Sequence, residues 1–402
     1  MTQQTQWRKI QLLSVASGIS FLGSALTTFA VVLRDKDAAG ASGVSLLFLC
    51  MLLPSVFLSP WAGLLADKYS TRKLMPPLLI IMSLCSFSLA MGWPNWWSFI
   101  ALLISSSANT GVNAAFSALL PSLAAKDDVS RANGLNSTFT ALGSLLAPAL
   151  GGILVSSTGF VWPFIIDGIS FIVLTCSILL LKVNRVGVTN HEEGSLKALA
   201  GIKFVFQDKL IRSIVILITV LIVSLGVIQV GEVFLLINEL HASTLIYGLA
   251  GAIFALGAVT GGVFTTLTKV PLRYHLRIVT VAILTVIVVI IVIASAHHWW
   301  VVMSFGYLGG ICVALLNSYG TGIIQNRTKE EVRARVMATF GAVITVGTVT
   351  STALAGIVIQ AFGVRATFIG AAVIGAIILV ILGPAVLKNG KDYGREELTK
   401  DN

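Results

Sequence analysis

Apolar residues in this chain come in long unbroken runs rather than in the alternating or every-third-residue patterns of a soluble fold. Runs occupy residues 10–33, 43–66, 74–93, 97–121, 133–157 and 163–181. After a polar interval a second set occupies 212–237, 244–268, 276–296, 299–324, 336–361 and 364–387. Gly, Pro or charged residues punctuate each break. An α-helix advances about 1.5 Å per residue, so roughly 20 apolar residues reach across a hydrocarbon core of about 30 Å. The pattern predicts an all-α membrane protein of twelve transmembrane helices in two six-helix bundles.

The polar interval sets the division of the chain. Residues 1–182 form the first bundle, 183–211 a cytoplasmic linker, 212–388 the second bundle and 389–402 a cytoplasmic tail. Within the linker Leu199, Ile202, Phe204, Val205 and Phe206 alternate with Lys203, Gln207 and Lys209, a pattern that lets part of it lie as an amphipathic helix on the inner leaflet. Met1 to Lys9 leads straight into a run long enough to span, so the first helix reads as retained rather than as a cleaved signal.

Composition agrees with the pattern and charge adds an orientation. The 402 residues are 56% hydrophobic and 11% charged, with a mean hydropathy of +0.93. Net charge is +10, and of the 27 Lys and Arg residues 24 fall on the side that holds both termini, against Arg34, Lys36 and Arg365 on the other. Basic loops stay in the cytoplasm, so the asymmetry predicts a multi-pass inner-membrane protein with both termini inside. Trp93, Trp96, Trp97, Trp299 and Trp300 sit at two outer turns, where indole rings favour the headgroup layer.

The same reading removes several chemistries. Topology accounts for the positive charge without nucleic acid. The four cysteines lie inside apolar runs with no paired spacing. There is no HExxH, and His297 with His298 flanks Trp299 at an outer turn, so no metal site is expected. There is no G-x-x-x-x-G-K loop, so ATP is not the expected energy source, and no cofactor and no enzymatic reaction are expected.

Displacing the chain by 204 residues aligns Arg131 with Arg335, Gly143 with Gly347, Gly152 with Gly356, Gly159 with Gly363 and Phe164 with Phe368. The two sets therefore read as repeats. Parallel six-helix repeats about an axis normal to the membrane form a transporter architecture, with substrate held near the midplane.

Between the second and third runs stands Gly63-Leu-Leu-Ala-Asp67-Lys-Tyr-Ser-Thr-Arg72-Lys73. This loop resembles the signature loop of the major facilitator superfamily, with Ser70 and Thr71 departing from the pattern. The resemblance implies that Gly63 lets two helices approach, and that Asp67, with Arg72, Lys73, Arg131 and Arg335, forms a gate on the inner side. In the fifth run Gly143, Pro148, Gly151 and Gly152 resemble the superfamily's antiporter motif, with Ala147 in place of a glycine. Small residues at this spacing permit close helix approach, and Pro148 frees a carbonyl and bends the helix. Together with Ala132-Asn133-Gly134-Leu135-Asn136, Asp167-Gly-Ile-Ser170-Phe171 and Arg333-Ala-Arg335-Val-Met-Ala, the chain resembles the branch holding the enterobactin exporter and the macrolide efflux proteins.

That branch implies a secondary active exporter, a proton antiporter acting as a single chain on an amphipathic or lipophilic small molecule such as a drug, macrolide or siderophore. A lipid or lysophospholipid transporter of the same fold is the alternative, and a membrane sensor or scaffold stands behind both. Ser24 and Ser107 occupy places where relatives carry an acid and an arginine, which leaves Asp167 and Glu232 as the ionisable groups at membrane depth. Asp167 reads either as a helix cap or as a proton carrier, and Glu232 either as a hydrated rim residue or as a proton carrier. Asn109, Asn113 and Phe116 on the fourth run, Gln229 on the seventh, and Asn317 and Tyr319 on the tenth read either as substrate contacts or as interhelical packing.

Overall fold

A computed structural model of the chain describes residues 5–183, 185, 209–268, 270–328 and 330–393. Among these residues eleven helical stretches are long and apolar enough to cross a membrane. The first of them, Trp7–Lys68, has 62 residues, which at about 1.5 Å per residue far exceeds a bilayer. Gly40 divides it, with φ 63° and ψ −171°, a conformation that a Cβ would oppose. The twelve helices are α1 (7–39), α2 (41–68), α3 (Thr71–Ala90), α4 (Trp96–Ser122), α5 (Val129–Thr158) and α6 (Val161–Leu180), followed in the second half by α7 (Lys209–Val233), α8 (Thr244–Leu267), α9 (Leu272–Ala294), α10 (Trp299–Leu315), α11 (Glu330–Phe362) and α12 (Val364–Tyr393). The amphipathic stretch around Leu199 to Gln207 and the tail beyond Tyr393 lie outside the described residues.

The helices run past the apolar segments that announce them. α1 continues through Arg34, Asp35 and Lys36, α7 begins at Lys209, and α12 extends to Tyr393. Hydropathy marks only the stretch that hydrocarbon must cover, whereas backbone hydrogen bonding carries a helix on into the polar layer.

Chain contacts divide the molecule into two units, residues 1–190 with 243–252, and residues 191–242 with 253–402. In the first, α3 packs on α4 and α6, and α1 on α5 and α6. In the second, α9 packs on α10 and α12, and α7 on α11 and α12. The repeat seen at an offset of 204 residues is therefore a repeat of packing. Gly159 and Gly363 end α5 and α11 at φ 78° and 81°, the left-handed cap that reverses the chain into the next helix. On α1 and α5, Gly18 and Gly143 bring two backbones together, because a Cβ on Gly143 would stand 3.1 Å from the Gly18 carbonyl oxygen. Close approach between small residues is the main source of helix attraction where lipid is as apolar as the side chains. At the basic end Ile10, Leu13, Met75, Leu79, Leu119 and Ile178, all fully buried, close the core of the first unit.

Two helices depart from regular winding. α7 passes into a π-helical turn at Phe234–Glu239, and α10 into another at Leu316–Gly320 before resuming as Thr321–Arg327. Such turns offset side chains from the helical register and recur at functional positions.

Candidate functional site: a buried carboxylate and its hydroxyl ring

Asp167 sits two turns into α6 and is 2% exposed. Thr27 and Ser86 each donate a hydroxyl hydrogen bond of 2.7 Å to its Oδ2, and Ser24 approaches Oδ1 at 3.3 Å. The donors come from α1 and α3, so the carboxylate joins three helices. No cation pairs with it among the described residues. Gly23 makes room for it: a Cβ there would lie 2.9 Å from Asp167 Oδ1 and 2.8 Å from Ser170 Oγ. Ser83 bonds the neighbouring Gly168 carbonyl at 2.8 Å, holding α3 against this turn. The capping reading of Asp167 is corrected, since its carboxylate is held by side-chain hydroxyls from other helices rather than by amides at the start of its own. Ser24, notable in the sequence for the acid it lacks, instead belongs to this ring.

Glu232 lies half-buried near the end of α7, two residues before the π-helical turn begins, and has no hydrogen-bond or ion-pair partner among the described residues. The second half has no counterpart of Asp167. The position 204 residues on is Ala371, whose carbonyl accepts from Ser224 at 3.3 Å.

The cations that broke the charge asymmetry are all engaged. Arg34 bonds Asp35 at 3.0 Å, the Leu89 carbonyl that ends α3 at 3.0 Å and Ser98 at 2.6 Å, and its guanidinium lies 5.0 Å from the centre of the Phe164 ring. Arg365 does the same in the second half, pairing with Glu239 and bonding the Ala294 carbonyl that ends α9 at 2.8 Å. A cation at a helix C-terminus satisfies orphan carbonyls and the negative end of the dipole. Asp35 and Glu239 are 204 residues apart, while the arginines come from α1 in one half and α12 in the other. Lys36 pairs with Asp37.

At the basic end Asp67 accepts from Arg185 at 3.3 Å, and the Thr71 amide bonds the Arg185 carbonyl at 3.2 Å. The residue that answers Asp67 thus lies 118 positions away, beyond α6. Arg72 and Lys73 are exposed. Arg131 stacks on Trp7, 4.6 Å from the ring centre, and Arg335 is half-buried near the start of α11. A Cβ on Gly63 would meet nothing within 4 Å. Close approach is found in α5 instead. Gly151 faces Phe29 of α1, and on the other side Gly152 and Pro148 meet Gly248, whose added Cβ would stand 2.4 Å from the Pro148 carbonyl oxygen. A Cβ on Gly251 would reach the Pro148 ring at 2.8 Å.

The profile of the Major Facilitator Superfamily matches residues 13–268 and 232–400. The chain belongs to this superfamily.

Like other superfamily members it shares its fold with transporters of distant sequence. It aligns with the nucleoside transporter NupG at a TM-score of 0.72 and 14% identity, covering 94% of this chain and 98% of that one. A bacterial homologue of the human lysosomal transporter Spinster aligns at 0.71 and 12%, covering 96% of each. Among curated proteins it is similar to macrolide efflux protein A of Streptococcus pyogenes, 21% identical over 194 residues, 46% of this chain and 48% of that protein. It is also similar to a multi-drug resistance efflux pump PmrA homologue of Lactococcus lactis, 28% identical over 174 residues, 42% of each. The match therefore spans about half the length of these curated relatives.

The remaining polar residues separate by exposure. Asn109 and Asn113 share an exposed face of this superfamily member's α4, and Gln229 and Asn317 are also exposed. Phe116 packs in the core, and Tyr319, 6% exposed, lies against the His275 ring at 4.7 Å. Asn317 faces outward and Tyr319 inward, as two positions roughly 200° apart around a helix must.

Proposed function

We propose that this superfamily member is a secondary exporter that exchanges protons for an amphipathic or lipophilic small molecule across a bacterial cytoplasmic membrane. The observation that carries the reading is Asp167, a carboxyl group enclosed by neutral hydroxyls on α1 and α3 with no cation paired to it among the described residues. An ionisable group at membrane depth is costly unless it is paired or used. Hydroxyls suit both of its forms, donating to a carboxylate and accepting from a carboxyl group. Because the ring draws on three helices, gain or loss of the proton alters the packing of all three. Glu232, without a partner among the described residues, is the second candidate proton carrier. The efflux functions in the names of the two curated relatives support the outward direction, and the exposed Asn109, Asn113, Gln229 and Asn317 supply the few polar groups that orient a largely apolar ligand.

The test uses purified protein in liposomes, with an imposed pH gradient and a lipophilic dye as substrate. Dye movement should depend on the gradient, and Asp167→Asn should uncouple it. Dye-driven proton movement that persists undiminished in both Asp167→Asn and Glu232→Gln would reject the assignment.

A further inference from the structure

The second half holds an apolar cavity beside Ala371, the residue 204 positions beyond Asp167. Between α7, α11 and α12 lies a cavity of about 420 Å³. Its walls carry three hydroxyls, and all are engaged by backbone: Ser224 donates to the Ala371 carbonyl at 3.3 Å, Ser351 to the Val223 carbonyl and Thr367 to the Gly363 carbonyl at 2.7 Å. The rest of the lining is aliphatic or aromatic. A ligand orients itself through unspent polar groups, and such a cavity offers none, so it suits hydrocarbon.

Two substitutions between the repeats account for the space. Ala366 and Gly370 stand 204 residues beyond Trp162 and Ile166, so α12 presents a methyl group and a hydrogen where α6 presents an indole and a branched chain. The rim is exposed, with Leu354 at 52%, Phe362 at 71% and Ile374 at 57%. From the turn at Gly363 to Ile374 the helix climbs about 17 Å, a little over half of a hydrocarbon core of about 30 Å. The cavity therefore follows the depth of one leaflet, the one opposite the basic end.

We infer that this cavity is a lipid site, holding one acyl chain of a phospholipid from that leaflet. A void inside a membrane protein forfeits dispersion contacts that a neighbouring chain restores, and acyl chains are the hydrocarbon present at that depth.

The experiment places the full-length protein in liposomes containing a phospholipid with a diazirine on its acyl chain, followed by photolysis and peptide mapping. Wild type should label peptides of α11 and α12 around Leu354, Phe362 and Ile374. Ala366→Trp with Gly370→Ile, side chains the other repeat already uses, should cut that labelling by about tenfold and leave labelling of α3 and α6 unchanged. Ala366→Leu should give an intermediate loss, and it serves as the test where the double variant does not elute as a single folded species. Equal labelling in wild type and filled variants, or wild-type labelling no higher than at α3, would overturn the site. Loss of the label on adding a lipophilic cation such as tetraphenylphosphonium would also overturn it, by giving the cavity to a transported compound.

Discussion

Gly23 and Asp167 fit one another: a Cβ on the glycine would stand 2.9 Å from both the Cα and Oδ1 of the aspartate. The atoms in the way belong partly to α6 backbone, so a side chain cannot simply turn aside. Gly23→Ala should lower thermal stability by about 1–3 kcal/mol, the usual range for overpacking. It should also impair gradient-driven dye transport although Asp167 itself is untouched. Unchanged melting and transport would mean that α1 and α6 part more easily than their packing implies.

The three hydroxyls should not be equivalent. Thr27→Val and Ser86→Ala each remove a 2.7 Å donor from Oδ2, and loss of a partner to a buried polar group costs about 1–3 kcal/mol. Ser24 is 3.3 Å from Oδ1 and also 3.1 Å from the Ser20 carbonyl, so Ser24→Ala should have the smallest effect. Melting curves and transport rates of the three variants check the order, and a dominant Ser24 would contradict it.

Arg34 should matter more to stability than Arg365. Asp35 is fully buried, and removing one partner of a buried ion pair costs about 3–5 kcal/mol. Arg365 and Glu239 are 32% and 35% exposed, so Arg365→Gln should cost less. Arg34→Gln combined with Asp35→Asn should recover part of the single-variant loss, which a double-mutant cycle measures. No recovery would assign the stability to the bonds with Leu89 and Ser98 instead.

Two glycines with contrasting surroundings should differ in tolerance. Gly248→Ala drives a methyl group into the Pro148 carbonyl, whereas Gly63→Ala meets nothing. Gly248→Ala should lower melting temperature and transport, and Gly63→Ala should keep stability within about 0.5 kcal/mol of wild type. A sensitive Gly63 would point to a contact made in another state of the transport cycle.

The twelve helices were legible because hydrocarbon demands long apolar runs, and the repeat was legible because Gly159 and Gly363 are needed at the same turn. Asp167 was legible as an ionisable residue in an apolar run. Its ring was not, because serine and threonine in membrane helices commonly bond their own preceding turn, as Thr28 and Ser107 do here. Nothing local distinguishes Thr27 or Ser86 from them. Arg185 was hidden by distance along the chain.

The single-residue elbow at Gly40 also bears on how the protein is made. With no loop between them, α1 and α2 enter the bilayer as one hairpin, whichever side they come from. Arg34, Asp35, Lys36 and Asp37 sit just before the bend, two cations and two anions. A hairpin tip of zero net charge does no work against the membrane potential, which otherwise exacts about 2.3 kcal/mol per charge per 100 mV. Removing Asp35 or Asp37 leaves a tip of net positive charge and should make insertion of the first two spans sensitive to the membrane potential, which insertion measured with and without an imposed potential checks.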